Sequence, residues 1–215
     1  MAGEPRTKRA IAFVDGQNLF YAARASFGHR YPNCDPVALA RTVCARQGWQ
    51  LRQVRHYPGI PAPWDDPIWH SFWRAKFAAM GRQGVHVVAR TLRYRWHVHR
   101  LKGGSVVRHR TREEKGIDVR IAIDVIRLAE KNVVDVVLLF SQDQDLAEAA
   151  REIRGIAREH GRWIKVASAF PRSERTKEAE GIDETDWIPI DRATYDACVD
   201  PRDDRPRSPV RGPEP

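Results

Sequence analysis

The stretch Val133-Val-Asp-Val-Val-Leu-Leu-Phe-Ser-Gln-Asp-Gln-Asp-Leu-Ala-Glu148 decides the reading of the chain. Val136 to Phe140 is an uninterrupted apolar run with the length and composition of a strand buried on both faces, as at the centre of a parallel sheet. Acidic and amide side chains follow at once, from Ser141 to Asp145. The spacing Leu146, Ala149, Ala150, Ile153, Ala157 then predicts a helix packed back on the sheet. In open α/β sheets ligands bind outside the carboxyl ends of the strands, which is where Asp143 falls. Asp143 or Asp145 also suits the simpler role of helix cap, although one cap does not need two aspartates.

The same grammar recurs earlier in the chain. Ala10 to Val14 is a second buried-strand candidate and runs directly into Asp15-Gly16-Gln17-Asn18, with the first turns of a helix expected from Leu19 to Arg24. Asp35-Pro36 starts another helix, a capping residue followed by proline at the first helical position. Leu51 to Tyr57 reads as a strand, Asp65-Asp66-Pro67 as a further helix start, and Val85 to Thr91 as the next strand. Trp69, Phe72, Trp73, Phe77 and Met80 keep helical spacing and are expected to pack in the core. Trp163 to Phe170 and an edge strand around Trp187-Ile-Pro-Ile190 complete the alternation. From Asp200 onward, proline and charge with almost no apolar content predict a disordered tail, residues 200–215.

Between Leu92 and Arg112 the pattern changes to period two: Leu92, Tyr94, Trp96 and Val98 alternate with Arg93, Arg95, His97 and His99, and Gly103-Gly104 offers a turn. This predicts a β-hairpin with one strongly basic face. Nine basic residues from Arg90 to Lys115, set against Glu113 and Glu114, place +7 of the chain's net +9 in this segment. Basic residues interleaved with aromatics point to nucleic acid, with Arg93, Arg95, Arg108, Arg110 and Lys115 as the contacts; the plainer alternative is a solvated surface. His97, His99 and His109 have no carboxylate or cysteine beside them to favour a metal site.

Lys115-Gly116-Ile117-Asp118 opens a helix running to about Asn132. At ~100° per residue Asp118 lies on the side of Ile121, Ala122, Val125 and Leu128, and Asp124 lies on the polar flank, within reach of Arg120 or Arg127.

Composition narrows the class. With 215 residues and a 42% hydrophobic fraction, the chain fits one globular domain of ordinary size. No apolar run is long enough to span a bilayer and the N-terminus has no signal-peptide core, so a cytoplasmic protein without membrane attachment is expected. Cys34, Cys44 and Cys198 are odd in number and lack Cys-x-x-Cys spacing, which indicates reduced thiols rather than a disulfide framework. Neither a dinucleotide-binding Gly-x-Gly-x-x-Gly nor a phosphate-binding Gly-Lys-Ser/Thr loop is present.

Asp15, Asp118 and Asp143, with Asp145 close behind, thus stand at two strand ends and one helix start. A parallel sheet would bring them together, and carboxylates held so close call for Mg²⁺ or Mn²⁺ to offset their repulsion. Beside a basic surface, such a cluster suggests phosphodiester chemistry.

Phe13-Val-Asp-Gly-Gln-Asn-Leu19, Lys115-Gly-Ile-Asp-Val119 and Ser141-Gln-Asp-Gln-Asp-Leu146 resemble, in order and spacing, the three motifs of NYN domains, the LabA-like branch of the PIN-like nucleases. The resemblance covers about residues 9–190, with 92–112 as an inserted basic hairpin. It implies a Rossmann-like α/β/α sandwich around a mainly parallel sheet and a Mg²⁺-dependent ribonuclease. By motif position it implies Asp15, Asp118 and Asp143 as metal ligands, assisted by Asn18 and Asp145; Asp124 matches an acid frequent in the family's helix. The third motif departs from the usual Ser-Gly-Asp-Ser-Asp-Phe at Gln142, Gln144 and Leu146, but the acids are kept. Two further readings stand beside the nuclease: an RNA-binding or regulatory module with little turnover, and an aspartyl phosphatase, which would want a second acid where Gln17 stands.

Overall fold

The computed structural model describes residues 3–100, 105–202 and 205–206. Gly103 and Gly104 of the expected turn, and most of the expected tail, lie outside the described residues. Among those described, the elements in chain order are β1 (Arg9–Asp15), α1 (Gly16–Phe27), α2 (Pro36–Arg46), β2 (Gln50–Tyr57), β3 (Gly59–Ile60), α3 (Pro67–Arg82), β4 (His86–Val87), β5 (Arg90–Thr91), β6 (Arg93–Arg100) and β7 (Val106–Glu113). There follow α4 (Ile117–Glu130), β8 (Val136–Phe140), α5 (Ala147–Glu159), β9 (Lys165–Pro171), β10 (Asp186–Ile190) and α6 (Arg192–Asp196).

Six strands form one sheet in the order β10-β9-β8-β1-β2-β4, and every pairing in it is parallel. Every residue of β8 is buried, as its unbroken apolar run requires of a strand with helices on both sides. The period of two along β1 divides its side chains between two cores. Ala10, Ala12 and Val14 pack with Leu19, Ala23 and Phe27 of α1 and Leu39 and Val43 of α2. Ile11 and Phe13 pack on the other face with Ile117, Ile121 and Val125 of α4 and Ile153 and Ile156 of α5. The result is an α/β/α sandwich with a Rossmann-like parallel sheet. No helix of the described residues is long and apolar enough to cross a membrane.

Local chemistry sets the helix starts. Asp35 accepts from the Val37 and Ala38 amides ahead of α2, Asp66 accepts from the Trp69 amide ahead of α3, and proline occupies the first turn of both helices. Pro189 sits in β10, the edge strand, where proline is tolerated.

The structure departs from the expectations in four places. Val85 to Thr91 is not one strand: β4 closes the main sheet beside β2, whereas β5 leaves it to pair with β3. The aromatic stripe of α3 is only partly core, since Phe77 alone is buried and Trp69, Phe72 and Trp73 are half-exposed. Asp124 pairs with Arg120 as expected but is buried, at 4% exposure, rather than on a polar flank. Finally, the hairpin does not have one basic face. Trp96 pairs with Arg110 and Val98 with Arg108, while Arg93 pairs with Glu113 and Arg95 with Thr111. Directly opposed residues share a face, so Arg93 and Arg95 project to one side and Arg108, Arg110 and Arg112 to the other.

Tertiary contacts fix the second side. Arg110 and Arg112 form ion pairs with Asp65, and the Arg110 guanidinium lies over the rings of Trp64, Tyr94 and Trp96 at 5.2, 5.1 and 5.5 Å. At its root, Tyr94 Oη accepts from the Ala62 amide at 2.8 Å.

Candidate active site

From β1 the chain steps outward to β2, and from β8 it steps the opposite way to β9, so the gap between β1 and β8 is the switch point of the sheet. Asp15 ends β1 there and Asp143 follows β8. Both are caps as well as site candidates. Asp15 Oδ1 accepts from the Asn18 amide at 3.0 Å, and Asp143 Oδ1 accepts from the Asp145 amide at 3.0 Å at the head of a 3-10 turn, Gln144–Leu146. Capping therefore holds each carboxylate in place without taking it out of the site.

Ser141 links the two acids: its hydroxyl lies 3.4 Å from Asp15 Oδ2 and accepts from the Asp143 amide at 3.2 Å. Asn18 Oδ1 accepts from the Gln142 amide at 3.0 Å, which ties the start of α1 to the turn after β8.

A cavity of about 730 Å³ opens at this point, lined by Asp15, Asn18, Glu114, Lys115, Asp118 and Asp143 among others. Of the residues singled out in the sequence, the fold thus brings Asp15, Asn18, Lys115, Asp118 and Asp143 around one space. Asp145 is exposed and contributes its amide to the turn rather than its side chain to the lining. Arg93, Arg95, Arg108 and Arg110 stand on the hairpin whose root joins the cavity at Glu114 and Lys115.

Glu114 was not among the sequence candidates. In the sequence it is one of two acids in a basic run; in the fold it faces the cavity because Gly116, at φ 74, reverses the chain from the hairpin into α4. A Cβ on Gly59 would collide with Glu114 Oε2 and Leu92, so the close seating of this carboxylate depends on glycine there. Only its position directly before Lys115-Gly116-Ile117-Asp118 could have drawn attention to it.

Electrostatics mark the same residues. Burial pushes the Asp15 carboxyl up to about 6, with the negative charge of Asp143 adding to the shift and the Asn18 amide opposing it. Glu114 is pushed up to about 7, first by burial and then by the charges of Asp15 and Asp118, against the Gly59 amide. Asp124 goes the other way. Despite its burial, hydrogen bonds from Tyr57 Oη at 2.9 Å and Arg55 at 3.0 Å, with Arg120 beside it, hold it below the usual carboxylate range. It is a compensated structural acid.

The oxygen-only donor set suits a hard divalent cation. Among the described residues no three His, Cys, Asp or Glu side chains already converge as a cage. Mg²⁺ does not require one, since it is usually held by one or two carboxylates, with water and phosphate oxygens completing its shell. Asp15, Glu114, Asp118 and Asp143 around one cavity fit that mode.

No curated protein matches the chain. Among solved structures, a protein of unknown function from Vibrio parahaemolyticus is similar at 21% identity with a TM-score of 0.48, over 88% of this chain and 98% of the other. The UDP-GlcNAc 2-epimerase of Methanocaldococcus jannaschii gives 9% identity and a TM-score of 0.33, over 80% of this chain and 34% of the enzyme. The model of the NYN domain matches residues 9–185, a family of PIN-like, nuclease-type proteins whose function is RNA-related. With that match spanning most of its length, the chain belongs to the NYN domain family.

Proposed function

We propose that the protein is a Mg²⁺-dependent endoribonuclease, with Mn²⁺ able to substitute, that hydrolyses RNA phosphodiester bonds at the cavity between β1 and β8. The observation that carries this reading is the grouping of four carboxylates around one open space, two of them with proton affinity raised by burial and by their neighbours. Such a site favours either protons or a cation.

When bound, the divalent ion supplies Lewis-acid polarisation of the scissile phosphate and lowers the pKa of attacking water. Asp15, Asp118 and Asp143 would hold it, and Glu114 joins that set. Ser141 and Asn18 keep the two strand-end acids in register. Lys115 lies at the rim, where its ammonium can receive a phosphate oxygen. The hairpin extends the basic surface from the same rim, and Arg93, Arg95 and Arg108 on it are exposed to grip the RNA backbone. Cys34, Cys44 and Cys198 are free thiols, in keeping with a cytoplasmic setting.

Cleavage of RNA by purified protein in Mg²⁺ and in EDTA, with Asp143→Asn alongside, tests the reading. Asparagine preserves the cap, so the variant should stay folded and lose Mg²⁺-supported cleavage. RNA binding that persists in EDTA, without cleavage under any metal condition, would replace the nuclease with a non-catalytic RNA-binding module.

A further inference from the structure

We propose that a second cavity beside the acidic one is a base subsite, which receives the single nucleobase next to the cut, turned out of the strand and stacked on Tyr21. This rests on the ribonuclease reading above and adds a base-binding subsite to that site.

The two cavities are contiguous, sharing Gln17, Tyr21 and Glu114. The second measures about 220 Å³, below the roughly 300–1,000 Å³ of sites for whole drug-sized ligands, which suits one base ring rather than a complete nucleotide. Phe20, Trp73, Met80 and Leu92 give it apolar walls. Polar groups for a base edge are present as well. His56, which burial pushes down to about 4 and so keeps uncharged, lines it. Lys76, whose ammonium donates to Asn33 Oδ1 at 2.6 Å, brings positive charge.

Tyr21 is the hinge of the argument. Its aromatic ring is large and 55% exposed at the lip common to both cavities, braced edge-on against Phe20 at 5.4 Å. On the same helix Asn18, Ala22 and Ala25 face the acidic cavity at helical spacing, and the two alanines leave room for a strand to approach. A phosphate beside Asp15 and Asp143 would therefore have its neighbouring base within reach of the Tyr21 ring. Stacking on aromatic rings is how proteins hold splayed bases of single strands. A duplex could present one here only by unpairing and unstacking it, which a single strand does not have to do.

The test measures binding of a short RNA carrying one 2-aminopurine, in EDTA so that cleavage plays no part. Tyr21→Ala should weaken single-strand binding about 5- to 160-fold, the range for loss of one base–aromatic stack, and leave duplex binding unchanged. Tyr21→Trp, which keeps a stacking surface, should restore it. Quenching of 2-aminopurine on binding should be seen with wild type and lost with Tyr21→Ala. Equal single-strand affinity for wild type and Tyr21→Ala, or wild-type affinity no higher for single strand than for duplex, would overturn the proposal. A wild type that cuts RNA while Tyr21→Ala binds normally removes only the base site. A wild type that never cuts but shows Tyr21-dependent binding removes only the nuclease.

Discussion

The side-chain oxygen of Asn18 accepts the backbone N–H of Gln142 at 3.0 Å, joining the first turn of α1 to the loop that carries Asp143. Two segments 124 residues apart in sequence are thereby locked in the register that sets Asp15 across from Asp143. Replacing Asn18 by alanine removes this bond and leaves the Gln142 amide without its partner, at a cost of about 0.5–1.5 kcal/mol. Cleavage should fall by more than that stability loss explains, because the two acids lose their brace. Chemical denaturation read beside single-turnover cleavage separates the two effects; a variant with full activity would show that Asn18 only stabilises the loop.

The raised proton affinities of Asp15 and Glu114 have a definite consequence for stability against pH. Both carboxyls bind a proton more tightly folded than unfolded, so ionising them works against the fold. That destabilisation is absent below the ordinary carboxylate range and develops as pH rises through about 6 for Asp15 and about 7 for Glu114. Other acids, such as Asp124, act in the opposite sense, so the informative quantity is a difference. The melting temperature of Asp15→Asn minus that of wild type, both in EDTA, should grow from about pH 4 and level off once the pH has passed about 6. A flat difference would mean that Asp15 is not buried against Asp143 in solution.

Mg²⁺ should raise the melting temperature of the wild type by mass action, since the unfolded chain cannot gather the carboxylates. The shift should shrink as the pH falls through 6, where protons compete for Asp15, and Asp143→Asn should reduce it at every pH. Differential scanning calorimetry with and without millimolar Mg²⁺ reads this out. The same ionisations predict cleavage that rises with pH through 6 to 7.

Asp124 should behave as a structural acid. Its carboxylate is 5% exposed in the side chain and faces the nearly buried Arg55 at 3.0 Å. Asp124→Ala leaves that guanidinium uncompensated, and breaking such a buried pair from one side typically costs about 3–5 kcal/mol. Urea denaturation should show the loss, while the Mg²⁺ dependence of the remaining folded enzyme stays as in wild type. A changed metal dependence with intact stability would move Asp124 into the metal site.

The two faces of the hairpin should respond differently to mutation. Arg93 is exposed, and if it grips a phosphate of single-stranded RNA, Arg93→Ala should weaken binding and flatten the slope of log affinity against log salt by about 0.7. Arg110 is held by Asp65 and three aromatic rings, so Arg110→Ala should chiefly loosen the hairpin. Limited proteolysis between β6 and β7 would report that loosening. Salt titrations that leave the Arg93→Ala slope unchanged would mark that face as solvated surface.

The sequence by itself determined the sheet centre and the acids that stand at its carboxyl edge. Val136 to Phe140 and Ala10 to Val14 are legible as buried strands because an apolar run without period can satisfy neither a half-exposed strand nor an amphipathic helix. Asp15, Asp118 and Asp143 could be picked out because a carboxylate at a strand end or helix start follows from local order alone. Tertiary structure decided the rest. The seating of Glu114 depends on Gly59 and on the turn at Gly116, and its burial comes from residues distant in the chain. Asp124 was misplaced because periodicity gives a direction around a helix axis but not what stands opposite, here Arg55 and Tyr57 of β2. The hairpin faces followed from strand register, which sequence alternation leaves open by one residue, and one residue exchanges every side chain between faces. Burial, charge compensation and register are relations between segments, so they are settled only when the chain has closed on itself.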